Sequence, residues 1–118
     1  MKKGLLVLLA IIGVTGSVFA YNYDTKVPVA GNSIADTKLQ SDMLFPVYSY
    51  GLRIATPECK DYAITNTEVS VPKKDGNWTE IWTVKACERV ARIPIEFTTN
   101  SNNEVNFAID PMGVKVQK

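Results

Sequence analysis

Residues 78–99 read WTEIWTVKACERVARIPIEFTT, and the reading of this stretch decides the fold. Side chains along a strand point alternately to opposite faces. In the first half Trp78, Glu80, Trp82, Val84 and Ala86 share one face, while Thr79, Ile81, Thr83 and Lys85 share the other. In the second half Ala91, Ile93, Ile95 and Phe97 alternate with Arg92, Pro94, Glu96 and Thr98. Two amphipathic runs joined by a short polar reversal predict a β-hairpin. Folded about Glu88-Arg89, it sets Ala86 opposite Ala91, Val84 opposite Ile93, Trp82 opposite Ile95 and Glu80 opposite Phe97. Lys85 then lies beside Arg92 on a solvated outer face.

The same test extends outward. Tyr62 to Val71 forms a strand ending at the turn Pro72-Lys73-Lys74-Asp75-Gly76-Asn77, and Glu104 to Asp110 forms another after the turn 100–103. Val69 and Val71 fall on the core face beside Glu80 and Trp78. Val105, Phe107 and Ile109 fall there beside Phe97, Ile95 and Ile93. A slip of one residue would turn either strand's apolar set into water, so the register is well specified. Pro111 and Gly113 interrupt the pattern before a last short segment, Val114 to Val116. The expected fold is mainly β: an antiparallel meander of four to five strands with one or two short helices, a small α+β domain being the variant.

Upstream the signals are weaker. Thr56-Pro57-Glu58 has the form of a helix start, with a hydroxyl cap, a proline at the first position and an acid in the first turn. Phe45 to Ile54 alternates loosely around Pro46 and Gly51, which suggests an edge strand with a bulge at the glycine. Residues 21–42 are polar and punctuated by Pro28, Gly31 and Asn32. They are expected to form a flexible arm or a short helix capped by Ser33.

The N-terminus has the three parts of an export signal. Lys2 and Lys3 give a positive start, and Leu5 to Val14 is an apolar run interrupted only by Gly13. Thr15-Gly16-Ser17 then leads into Val18-Phe19-Ala20, with small residues where a signal peptidase reads. The apolar run is short of the ~20 residues a membrane span needs. Cleavage is expected before Tyr21, which is not the cysteine a lipid anchor would require; a retained anchor is the alternative. The expected organisation is a signal peptide over 1–20, an arm over 21–42 and a disulfide-tied β domain over 43–118, placed in the periplasm or secreted.

The chain has 118 residues, 13 basic and 12 acidic, with no histidine and two cysteines. Loss of residues 1–20 removes two lysines and no acid, leaving 98 residues with a net charge of −1. That balance argues against a nucleic-acid binder and against a polybasic membrane binder. The lack of histidine removes the commonest general base and transition-metal ligand together. No cofactor and no metal are expected. Cys59 and Cys87 are an even pair in an exported chain. The strand register also brings both to one end of the sheet, so they are expected to form a disulfide.

The W-x-E-x-W-x-x-x-A-C pattern of Trp78 to Cys87, followed by Ile93-x-Ile95-x-Phe97-Thr98 and preceded by Thr56-Pro57-x-Cys59, resembles small uncharacterised exported proteins and lipoproteins of proteobacteria. The resemblance covers roughly the last 65 residues and implies the fold and the bridge. It carries no known activity. Those proteins often have glycine after the second cysteine, where this chain has Glu88.

For function the sequence leaves three classes. The first is a non-enzymatic binding or interaction module of the cell envelope with an envelope protein as partner; it predicts an exposed apolar patch or open edge near Phe45 to Tyr50. The second is a small inhibitor of a hydrolase, presenting the 72–77 turn. The third is a carbohydrate-active enzyme or lectin-like site in which Trp78 and Trp82 form a platform and Glu80 is the acid or acceptor. Against it stands the reading of both indoles as core anchors, with Glu80 needing a partner; Arg53 is the basic residue that reading nominates.

Overall fold

The structure, a computed structural model, describes residues 21–117; the expected signal peptide lies outside the described residues. The elements are β1 (Asn22–Tyr23), α1 (Thr37–Ile54), β2 (Asp61–Lys74), β3 (Asn77–Ala86), β4 (Arg89–Thr99), β5 (Val105–Ile109), a 3₁₀ turn (Pro111–Gly113) and β6 (Lys115–Gln117). Strands β2 to β5 form the expected antiparallel meander. Two short additions complete the sheet. β1 pairs with the start of β2 in parallel, and β6 pairs with β4 beyond the end of β5. The sheet is therefore mixed, with α1 laid across its inner face.

The central hairpin turns one step earlier than its sequence suggests. Ala86 pairs with Arg89, Val84 with Ala91, Trp82 with Ile93, Glu80 with Ile95 and Trp78 with Phe97. The reversal is Cys87-Glu88, with Cys87 at φ 58°. The shift against the expected register is two residues, which keeps every side chain on its expected face. Alternation alone cannot detect such a slip. The same offset recurs in β5, where Ile109 pairs with Ile95 and Phe107 with Phe97. In β2, Val69 pairs with Glu80 as expected, but register shifts place Val71 opposite Thr79, and its side chain is exposed.

The stretch expected to be an edge strand, Phe45 to Ile54, is the second half of α1. Its buried residues, Gln40, Met43, Val47, Tyr48 and Gly51, recur every three or four positions and form one stripe on the sheet. Asp36 and not Ser33 caps the helix, its carboxylate accepting from the Leu39 N–H at 2.8 Å. Pro46 sits inside the helix and removes one backbone bond, a loss that burial of the stripe offsets. Gly51 permits a close approach: a Cβ there would lie 3.0 Å from Val84 Cγ1. α1 also crosses the boundary expected near residue 42. The helix expected to start at Thr56 is a turn closed by Cys59 N–H donating to the Thr56 carbonyl at 3.0 Å.

The arm is tied to the rest by specific bonds. The Val29 N–H donates to Gln40 Oε1 at 2.8 Å, Gln40 Nε2 donates to the Ala35 carbonyl, and Thr67 Oγ1 donates to the Ala30 carbonyl. Gly31, at φ 99°, passes so close to β2 that a Cβ would fall 2.4 Å from the Thr67 backbone. The core between arm, helix and sheet contains Met43, Val47, Val84, Ala91, Ile93, Ile95 and Phe97, all buried. At one end of the sheet Cys59 and Cys87 form the disulfide, with Cα atoms 5.8 Å apart.

Candidate functional site

Trp78, Glu80 and Trp82 project together from the inner face of β3 and are closed to solvent, with Glu80 and Trp82 at 0% exposure. The Glu80 carboxylate accepts hydrogen bonds from three N–H donors: Trp82 Nε1 on Oε1 at 2.8 Å, and Trp78 Nε1 at 2.7 Å and the Ile34 N–H at 3.0 Å on Oε2. A buried indole N–H needs an acceptor. A carboxylate between two tryptophans on one strand face supplies both at once. It also reaches across to the arm and holds Ile34. Arg53, the partner expected for Glu80, instead lies on the exposed side of α1 with its guanidinium 4.6 Å from the Tyr50 ring centroid. The Trp78 ring stacks on Phe97 at 4.6 Å and is covered on its outer side by Lys73.

Tyr48 anchors the other end of the arm. Its hydroxyl donates to the Asp24 carbonyl at 2.5 Å and accepts from the Ile64 N–H at 3.2 Å. Burial pushes its pKa up to about 12, partly opposed by the Ile64 N–H and reinforced by Asp24. Burial likewise raises Tyr62.

The basic groups of the outer face are dispersed. Arg92 pairs with Glu68, and Arg89 donates to the Ile54 carbonyl at the C-terminus of α1 at 2.9 Å. The 72–77 turn is tight: β2 continues to Lys74, and the reversal is Asp75-Gly76 with both φ angles positive. Among the described residues no cluster of histidine, cysteine, aspartate or glutamate has the geometry of a metal site, and no helix is long and apolar enough to cross a membrane.

A further candidate surface lies on α1, apart from the exposed apolar side chains of Ile34, Val71, Met112 and Val116 elsewhere among the described residues. Phe45 is 81% exposed and Leu52 42%. Seven residues separate them, about two helical turns, so they share one face. Beside them runs a groove of about 210 Å³ between the helix and the arm, lined by Tyr23, Thr25, Ser41, Leu44, Phe45, Tyr48, Ser49 and Leu52. None of these side chains is charged, and an apolar cavity of about 150 Å³ already accepts a benzene ring. The interaction-module reading calls for an exposed apolar patch or open edge near Phe45 to Tyr50, and the exposed apolar side chains there stand on a helix and not on the expected edge strand. Helical periodicity, with Phe45 and Leu52 opposite the buried Met43 and Val47, is the signal that defines its shape.

No family model matches the chain, and no curated protein or solved structure matches it either.

Proposed function

We propose that the protein is exported and acts in the cell envelope as a non-enzymatic interaction module, using the outer face of α1. The observation that carries this reading is the uncharged groove beside Phe45 and Leu52. Large apolar side chains left contiguous on a small domain mark a contact surface more often than chance exposure. The disulfide is compatible with an oxidising compartment. The Trp78–Glu80–Trp82 cluster has its polar atoms committed to internal hydrogen bonds, which favours a structural role for it over a ligand platform.

The test is affinity capture from envelope extracts with the wild-type protein and with Phe45→Ser as bait. The reading predicts a partner recovered by the wild type and lost with the variant while the fold is unchanged. Equal recovery by both baits would remove the α1 face from the account. The N-terminal residue of the purified protein, read by mass spectrometry, is expected to be Tyr21; an intact N-terminus at Met1 would contradict cleavage.

A further inference from the structure

We infer that the partner of the α1 face is a second copy of this chain, docked helix against helix in antiparallel orientation. This rests on the reading of that face as an interaction surface, and three features of the face point to the occupant. First, the face is self-complementary: it carries a projecting phenyl ring, Phe45, beside a groove of about 210 Å³ that can receive one. A knob and a hole on one surface suit an isologous interface, where each copy gives what it takes.

Second, the charges flanking the face fix an orientation. Asp42 and Arg53 are exposed and eleven residues apart, about three turns, so both lie on the same flank of the Phe45–Leu52 stripe. If a two-fold axis passes between the levels of Val47 and Tyr48, Asp42 of each copy stands level with Arg53 of the other, and the pair forms twice. The same operation sets Phe45 level with Tyr50 of the opposite copy, between Ser49 and Leu52, which border the groove. A parallel two-fold arrangement would carry the flank of one copy to the opposite side of the interface from that of the other, so neither Asp42–Arg53 pair would form. Rim charges of this kind select register and orientation.

Third, the groove itself presents no charge to a second copy. After loss of residues 1–20 the exported chain carries 11 basic and 12 acidic residues, so its net charge opposes association little. Among the described residues Asp42 is paired with Lys38, at 3.4 Å, with both side chains mostly exposed, a contact that an approaching guanidinium can displace.

The experiment is sedimentation equilibrium of the purified exported protein over a wide concentration range, with charge reversals at the two positions. Wild type is expected to show a concentration-dependent monomer–dimer equilibrium. Asp42→Arg and Arg53→Asp are each expected to weaken it by at least about tenfold, because like charges then face each other twice. The double reversal is expected to restore it, and Phe45→Ser to abolish it, with circular dichroism unchanged throughout. A wild type that stays monomeric overturns the proposal, as does a dimer indifferent to these changes or single losses that the double variant does not rescue. Should the protein be monomeric yet still capture a different protein through Phe45, the interaction reading stands and only the second copy is wrong. Loss of both results removes both.

Discussion

Glu80 shows how one side chain can organise a small core. Its carboxylate satisfies two buried indoles and a backbone amide of the arm, so the β-sheet and the segment covering it share a single acceptor. Glu80→Gln keeps the shape but turns an N–H toward an N–H, leaving a buried donor unsatisfied. A destabilisation of about 1–3 kcal/mol is expected, read as a lower urea midpoint at unchanged slope. Tyr48 makes a second residue-scale prediction. Its phenol is raised from 10.0 to about 12 in the folded chain, so folding favours the protonated form. The stability this contributes is fully present below pH 10 and is lost as pH rises from 10 towards 12. In an alkaline titration followed by phenolate absorbance, Tyr48 should ionise late, together with unfolding, alongside Tyr62, which burial also raises, and Tyr48→Phe should remove one tyrosine from the late step. A step unchanged in the variant would assign it elsewhere.

The elements differ in how openly the sequence declares them. Strands β2 to β5 were legible because alternation on a half-buried sheet is a period-2 signal, and Trp78 to Ala86 and Ala91 to Phe97 follow it without a break. What alternation does not encode is a two-residue slip. The turn at Cys87-Glu88 depends on a left-handed backbone at a cysteine that the bridge to Cys59 holds in place. α1 was hidden for a different reason. Pro46 and Gly51 both read as breakers, yet one interior proline removes a single bond and the glycine is where the helix meets Val84. Burial of the Met43–Val47–Gly51 stripe outweighs both. It follows that Pro46 is a local cost in α1. Pro46→Ala is expected to raise stability by about 2 kcal/mol, being the helix-interior penalty of proline less the entropy it removes from the unfolded chain. Thermal or urea unfolding checks this, and a destabilised variant would show that the proline ring is needed where it packs.

At the scale of the whole molecule, the architecture is a mixed sheet closed on its inner face by α1 and a hydrogen-bonded arm, with one disulfide at the end where α1 hands over to β2. The bridge could be argued from the sequence because the even cysteine pair and the strand alternation both bring Cys59 and Cys87 together, and it is compatible with the oxidising compartment the sequence suggests. The candidate site could be placed only approximately, because its shape exists once Phe45 and Leu52 are put on a helix and Tyr23 is brought beside them by the arm. Replacing Cys59 and Cys87 together by serine should cost about 3.5 kcal/mol by the loop-entropy argument for a separation of 28 residues, and native protein should resist alkylation until reduced. Ready alkylation of both thiols in native exported protein would contradict the bridge.

The function proposed for the molecule requires the outer face of α1 to be covered in the cell. The most direct measurement is in-cell photo-crosslinking with a benzophenone analogue of phenylalanine placed at position 45, compared with the same group at Met112, which is exposed outside the groove. A discrete cross-linked product from position 45 and none from position 112 is the predicted result. Equal labelling at the two positions, or none at either, would contradict it.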